Sequence, residues 1–292
     1  FALPYLWLAH AGMVFALWSA VPDRRSLPAA LAASLLGALV LWGPGLAAWR
    51  APEGGDTVRV LSWNVQRLWG GPGEAEAPAC VAATIARAEP DVVALMEVSR
   101  ENLEALGSLG LECVHTTYRS GGGPRRGGLA VCGRQGWRAS GSGRRFVDRE
   151  DWSYLAAEVR RGTHVFNVLA VHLAPHHFGA PASATEEVAA RQANQSRAVV
   201  ETLQRLHDPT VVAGDFNSTR DFWLHAELRA HLQDVWERGG IGFGATKHVW
   251  GWLPLRIDFV YASRDFAVRG ADVLGASCSD HRPVLSTLAL PR

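Results

Sequence analysis

Lysine is almost missing from this chain. Of 29 basic residues only Lys247 is a lysine; the rest are arginines. The formal net charge is +1, which excludes the broad positive field of a tight nucleic-acid binder. Arginine, with its planar fork of donors, still suits local contacts to phosphate. Cysteine is scarce as well: Cys80, Cys113, Cys132 and Cys278. No two of them have the C-x-x-C spacing of a zinc module. The preferred reading is four small buried residues, although Cys113 and Cys132 fall on consecutive expected strands and could be close. Neither a short repeat nor a low-complexity tract occurs, and the longest glycine-rich stretch, residues 121–128, is only a loop.

Charge is absent from two long runs, residues 1–22 and 26–49. Each is long enough to cross a bilayer as a helix, which takes about 20 apolar residues. Tyr5, Trp7 and Trp18 lie near the ends of the first run, and Trp42 and Trp49 near the end of the second, where interfacial aromatics gather. Asp23-Arg24-Arg25 makes the polar loop near residues 22–27. Residues 1–50 therefore read as a transmembrane hairpin, in preference to two buried helices. Two spans without a basic leader fit a cleaved signal peptide poorly. The loop carries two arginines against Arg50 alone at the exit, which puts the loop in the cytoplasm and everything after Arg50 outside. The expectation is a multi-pass cell-membrane protein with an extracytoplasmic domain. Three basic residues and one acidic residue lie within 1–50, leaving 26 and 27 beyond it.

Residues 51–57, with Pro52, Gly54 and Gly55, read as a linker. From 58 to 292 strand and helix patterns alternate in one domain. Strands are expected at 58–65, 91–98, 111–118, 128–134, 154–160, 164–173, 210–215, 257–263, 267–274 and 283–290. Helices are expected at 76–88, through Leu103, Leu106 and Leu109, at 186–207 and near 221–230. An α/β arrangement of two sheets packed face to face, with helices outside, accounts for this order.

Several apolar runs end in polar groups, and a buried strand that ends so delivers them to the rim of a sheet. Asn64 ends one run and Glu97 another. Asp215 and Asn217 follow Thr210-Val211-Val212-Ala213 and are expected to alternate on one strand edge, with Phe216 turned into the core. Asp280-His281 follows the run that starts at Val273, and His172 follows Val168-Leu169-Ala170-Val171. Asp258 interrupts an apolar strand and needs a partner if buried; His281 is the candidate, since a histidine that handles charge is normally oriented by a carboxylate. Each residue alone has a plain reading: a helix-start acid for Glu97, a turn for Asn64 and Asn217, a half-buried imidazole for His172. Together they supply one carboxylate for a hard cation, another for water, two amides and two imidazoles. That set covers metal-assisted phosphodiester hydrolysis. Weaker candidates are Arg125, Arg126, His176, His177, Arg191 and Gln192.

Leu61-Ser62-Trp63-Asn64-Val65-Gln66, Val93-Ala94-Leu95-Met96-Glu97-Val98, Gly214-Asp215-Phe216-Asn217, Arg256-Ile257-Asp258-Phe259-Val260 and Ser279-Asp280-His281-Arg282-Pro283-Val284 resemble, in order, the motifs of the endonuclease/exonuclease/phosphatase superfamily. The resemblance runs from about 58 to 290. It implies a four-layered α/β sandwich. It also implies Mg²⁺, with Mn²⁺ as the alternative ion, at Glu97, with Asn64 and Asp280 close to the metal or its waters. Asp215 would orient and deprotonate the water, Asn217 would hold the phosphate, and His281 on Asp258 would stabilise the transition state. His172 would face the scissile phosphate. The segment 246–250 fits the family's Thr-Trp pattern only loosely. The expected substrate is a phosphodiester, in a nucleic acid or a lipid headgroup, and no protein partner is expected. The leading expectation is an endonuclease-like enzyme; a sphingomyelinase-like lipid enzyme comes second, a non-catalytic binding module on the same fold third. A transporter draws little support from two short spans without an intramembrane charge.

Overall fold

The computed structural model describes residues 56–66, 77–119, 126–145, 153–176, 182–275 and 278–291, with Ser19 and Ala32 alone before them. The expected transmembrane hairpin lies outside the described residues. Among those described, no helix is long and apolar enough to cross a membrane.

The order is β1 (Thr57–Asn64), α1 (Ala77–Ala88), β2 (Val92–Met96), α2 (Arg100–Ala105), β3 (Glu112–Arg119), β4 (Arg126–Gly133), β5 (Arg138–Arg145), β6 (Ser153–Arg161) and β7 (His164–His172). Then follow α3 (Ala182–Arg205), β8 (Thr210–Asp215), α4 (Trp223–His231), β9 (Leu232–Asp234), α5 (Val235–Gly239), β10 (Lys247–Val249), β11 (Leu253–Leu255), β12 (Asp258–Ser263), β13 (Ala267–Val273) and β14 (Val284–Ala289). One six-stranded sheet runs β13-β14-β1-β2-β4-β3 and the other β5-β6-β7-β8-β12-β9. Both are mixed. In each, one parallel pair (β1 with β2, β7 with β8) lies between antiparallel neighbours. A parallel pair requires a crossover, and α1 and α3 provide the two.

Side-chain parity builds the layers. Val58 and Val60 of β1, Val92, Ala94 and Met96 of β2, Val168 and Ala170 of β7, and Val211 and Ala213 of β8 meet in one core between the sheets. The alternate residues turn outward: Leu61, Trp63, Val93 and Leu95 pack on Val81 and Ile85 of α1, and Leu169, Val171 and Val212 on Val199 and Leu203 of α3. The order is helix, sheet, sheet, helix. A period of two has a further consequence. Asn64, His172 and Asp215, the last residues of β1, β7 and β8, share parity with the inter-sheet core and so face the gap between the sheets at its rim.

Four cysteines form two disulfides, Cys80–Cys278 and Cys113–Cys132, and none is free. This corrects the reading of four unpaired buried residues. Cys113 and Cys132 are direct cross-strand partners on β3 and β4. Cys278 is far from Cys80 in sequence and meets it only because the loop before β14 folds back on α1.

Helix α4 braces the segment after β8. His225 lies against Phe259, with ring centroids 4.2 Å apart, its Nε2 3.1 Å from Ser218 Oγ and its Nδ1 2.7 Å from Tyr261 OH. Burial, then the charges of Arg256 and Arg229, push this imidazole down from 6.5 to about 3. Between those values the unfolded chain binds a proton that the folded chain refuses. The contribution of His225 to stability is therefore full above about 6.5 and lost as pH falls toward 3. His225→Gln is expected to remove a slope of about 1.4 kcal/mol per pH unit from urea-unfolding stability in that window. Equal slopes for variant and wild type would refute it.

Candidate active site

The C-terminal ends of the two parallel pairs meet at one rim. β1 delivers Asn64, β2 leads into Glu97, β7 ends in His172 and β8 in Asp215, with His172 and Asp215 paired in register. Two antiparallel neighbours start where these strands stop. β12 begins at Asp258, in register with Asp215. β14 begins at Val284, in register with Ser62, so the loop 278–283 hangs over the same rim. Asp258 thus opens a strand rather than interrupting one, and Asp280-His281 precedes a strand rather than ending one. In an antiparallel neighbour the start lies beside the other strand's end, so both reach the expected place.

Asp215 is the hub. Its Oδ2 accepts from Asn64 Nδ2 at 3.0 Å and lies 3.6 Å from both His172 Nε2 and His281 Nε2. Its Oδ1 accepts from the Asn217 backbone N–H at 2.8 Å. Burial raises the Asp215 carboxyl above its ordinary range; the Asp258 charge adds to this, and His281, His172 and Lys247 oppose it. A carboxylate tuned upward is a better proton acceptor. Glu97 stands on the same side, with Oε1 3.2 Å from Asn64 Nδ2 and 3.8 Å from His172 Nε2.

His281 Nδ1 meets Asp258 at 2.9 and 3.1 Å, the pairing expected from the sequence. Trp63 Nε1–H donates to the His281 carbonyl, and Ser279 Oγ–H donates to the Asn64 carbonyl. Burial alone would depress the His281 imidazole, but Asp258 and Asp215 outweigh it and lift the ring to about 9. Lys247 presses the other way. Its Nζ is 2.8 Å from His281 Nε2, and an ammonium can only donate. A doubly protonated ring would set two donors head to head. The balance of about 9 already includes the Lys247 charge, but the 2.8 Å contact needs an acceptor at Nε2, so the geometry is that of a neutral ring donating through Nδ1 to Asp258.

The residues divide by what they can hold. Asp215, Asp258 and His281 lie close enough together to hold a metal ion. Yet Asp258 is engaged with His281 and Lys247 bears on the ring, so these groups are already paired with one another. Glu97, with a carboxylate on hard oxygens and part of its side chain open to solvent, suits a hard divalent cation. Asp280 is also partly open, and its Oδ2 is 2.8 Å from Lys247 Nζ. Asn64 Oδ1 accepts from the Gln66 N–H at 2.9 Å while its amide N–H groups face the two carboxylates. The Glu97 carboxylate suits such a cation, and Asn64 lies beside it at 3.2 Å.

Asn217 departs from expectation. It lies past the end of β8 with φ +47° and does not alternate with Asp215 on a strand. Its Nδ2 donates to the Leu173 carbonyl at 2.9 Å, which uses one of two N–H groups. Phe216 is fully buried, as expected. Gln66 and Glu97 also have positive φ, +47° and +59°, and such outliers at one rim mark a site whose backbone is held by its surroundings. Gly214 has φ +153°, and a Cβ there would run into the Val171 carbonyl; glycine is needed where β7 and β8 close beside Asp215.

Among the weaker candidates, Gln192 is buried, donates to the Ala174 and Asn217 carbonyls, and meets His176 Nε2 at 3.0 Å. Arg191 pairs with Glu187 along α3. Arg125 and His177 lie outside the described residues, as does the side chain of Arg126. Two residues beyond the expected site set, Thr246 and Lys247, also reach this rim. Thr246 is buried, and its Oγ1 accepts from the N–H groups of Ile257 and Asp258. The signal was there: the sole lysine of the chain follows this threonine, a short way before Asp258.

A family model, Endonuclease/Exonuclease/phosphatase family, matches residues 61–281. No curated protein matches by sequence. Among solved structures, an endonuclease/exonuclease/phosphatase from Beutenbergia cavernae superposes with a TM-score of 0.65 at 22% identity, over 80% of this chain and 72% of that one. Truncated TDP2 of Caenorhabditis elegans gives 0.61 at 18%, over 80% and 97%. The human Nocturnin catalytic domain, with a bound sulfate anion, gives 0.61 at 18%, over 80% and 93%.

Proposed function

The chain belongs to the endonuclease/exonuclease/phosphatase family, and from that premise we propose a Mg²⁺-dependent, endonuclease-like phosphodiesterase, membrane-anchored with its catalytic domain outside the cytoplasm. Members of the family are metal-dependent hydrolases of phosphoester bonds, and this chain is an enzyme of that type. The observation that carries the finer reading is Asp215 Oδ2, ringed by Asn64, His172 and His281, with Asp258 behind the histidine.

Each group then has a task. Asp215 orients a water and takes its proton. The water oxygen bonds to phosphorus as the bond to the leaving oxygen breaks; that oxygen departs with the electron pair and takes up a proton. His281, held by Asp258, faces the charge that gathers on the phosphoryl oxygens. His172 lies beside the same oxygens, and the second N–H of Asn217 serves the phosphate. Mg²⁺, or Mn²⁺, bound at Glu97 with Asn64 and Asp280 alongside, would neutralise charge on the phosphate.

Two disulfides favour an oxidising compartment. One observation favours the lipid-headgroup reading. Trp250 and Trp252 stack, with centroids 6.2 Å apart, and both are exposed at the tip of the β10–β11 hairpin, as interfacial tryptophans would be.

The test is a panel of plasmid DNA, RNA, sphingomyelin, phosphoinositides and a chromogenic phosphodiester, with Mg²⁺ and with EDTA. Plasmid nicking that EDTA abolishes is expected. Glu97→Gln should raise the Mg²⁺ needed for half-maximal activity by at least the about 10–100-fold that even an outer-shell partner commands. Headgroup release with intact DNA would transfer the assignment to the lipid reading; activity unchanged in EDTA would end both.

A further inference from the structure

We propose that Lys247 is a further catalytic residue, whose ammonium receives a non-bridging oxygen of the scissile phosphate beside His281; this rests on the phosphodiesterase reading above. Its backbone is pinned at the site. Lys247 forms an antiparallel bridge with His281, and the Arg282 N–H donates to the Thr246 carbonyl at 2.7 Å. The preceding Thr246 is tied to the Asp258 N–H. The backbone thus links Lys247 to both members of the His281–Asp258 pair.

The side chain is equally constrained. Nζ lies 2.8 Å from Asp280 Oδ2 and 2.8 Å from His281 Nε2. An ammonium has three N–H donors, and these two contacts use two. About a quarter of the side chain is exposed, whereas His281 is almost wholly buried. Lys247 therefore stands on the solvent side of the histidine, where a substrate phosphate must pass. With Nε2 and Asp280 Oδ2 each accepting one N–H, the third N–H of the ammonium is left for one anionic oxygen beside the histidine. An arginine would not serve as well: its rigid planar fork suits a bidentate partner, while this place has three acceptors in different directions. In a chain that otherwise uses arginine throughout, the sole lysine sits where a compact charge fits.

Asp280 holds the ammonium in place. The charge is then present before substrate arrives, and a preorganised donor acts without reorganising during reaction. Losing one such donor costs about 10²–10³-fold in kcat.

The experiment compares wild type, Lys247→Met and Lys247→Arg, in the intact protein with Mg²⁺. kcat and KM are measured on a chromogenic phosphodiester, and affinity for inorganic phosphate by calorimetry. Lys247→Met is expected to lose about 10²–10³-fold, mostly in kcat, and to bind inorganic phosphate about tenfold more weakly or worse, as one charge-assisted contact commands. Lys247→Arg should recover phosphate binding and only part of kcat. A melting temperature for each variant separates misfolding from chemistry, and if Lys247→Met does not fold the arginine variant decides through its kcat deficit. Phosphate affinity and kcat of Lys247→Met within twofold of wild type would overturn the inference. So would a loss confined to melting temperature. If wild type cleaves no diester, the proposed function fails, and Lys247 is then judged by the phosphate-binding arm alone.

Discussion

Asp215→Asn is expected to cut turnover of a chromogenic phosphodiester by about 10²–10⁴-fold, the range a positioned general base supplies, while the fold persists. The substitution keeps an oxygen for the Asn217 N–H that now donates to Asp215 Oδ1 at 2.8 Å. It loses the group that can take a proton from water. It also turns an N–H toward Asn64 Nδ2, now 3.0 Å from Oδ2, so one hydrogen bond becomes a clash of donors. Against that loss stands relief from a buried carboxylate beside Asp258. Burial raises the Asp215 carboxyl, so the folded chain binds that proton more tightly than the unfolded one. Its contribution to stability is full below the ordinary value of 3.8 and declines as pH rises through the raised folded value. In EDTA, the variant should lack this part of the decline. Turnover above a tenth of wild type, in protein shown to carry no wild-type contamination, would remove Asp215 from the role of base.

Most of the site was legible because chemistry ends strands here. Asn64, Glu97, His172 and Asp215 each follow an apolar run, and parity with the inter-sheet core places the three strand-end residues on one face. Asp258 and His281 were found as a pair for a physical reason: a buried carboxylate needs a partner, and the structure supplies one at 2.9 Å. Both reach the site from the beginnings of antiparallel strands, not from the ends of apolar runs. Asn217 was assigned to strand alternation, but the Asp215 side chain takes its N–H and turns the backbone left-handed. That is local competition between side chain and strand ladder.

The longer elements were legible and the short ones were not. β9, β10 and β11 have three residues each, too few to show a period. β5 was missed although it has eight residues. Its sequence, Arg138-Ala139-Ser140-Gly141-Ser142-Gly143-Arg144-Arg145, contains no β-branched or aromatic residue, and it is a strand because β6 offers a full antiparallel register. Lys247 fell outside the expected site set for a related reason. It lies on one of the three-residue strands, and nothing local reveals that β10 runs back to His281. Tertiary pairing decides these cases.

Replacing Cys80 and Cys278 with serine is expected to cost about 5 kcal/mol of unfolding free energy and to lower kcat as well. The disulfide closes a loop spanning 198 positions. In the chain-entropy account a loop of about 100 residues is worth about 4.7 kcal/mol, and the value grows only slowly with length. Domain stabilities of about 5–15 kcal/mol make that a large share. The effect on kcat has a separate origin. Cys278 precedes Ser279, whose hydroxyl donates to the Asn64 carbonyl and accepts from the His281 N–H. With the tether cut, the loop carrying Asp280 and His281 leaves its anchor on α1 and the histidine is held less firmly. The Cys113–Cys132 bond provides the contrast. It spans 19 positions between strands already paired, far from the His281 loop in sequence. Its removal should cost about 3 kcal/mol and leave kcat of the remaining folded protein near wild type. Urea unfolding and kcat, measured for both pairs of variants, separate the two effects. A Cys80/Cys278 variant with wild-type kcat and a stability loss no greater than that of the Cys113/Cys132 variant would show that β14 and its register alone hold the catalytic loop in place.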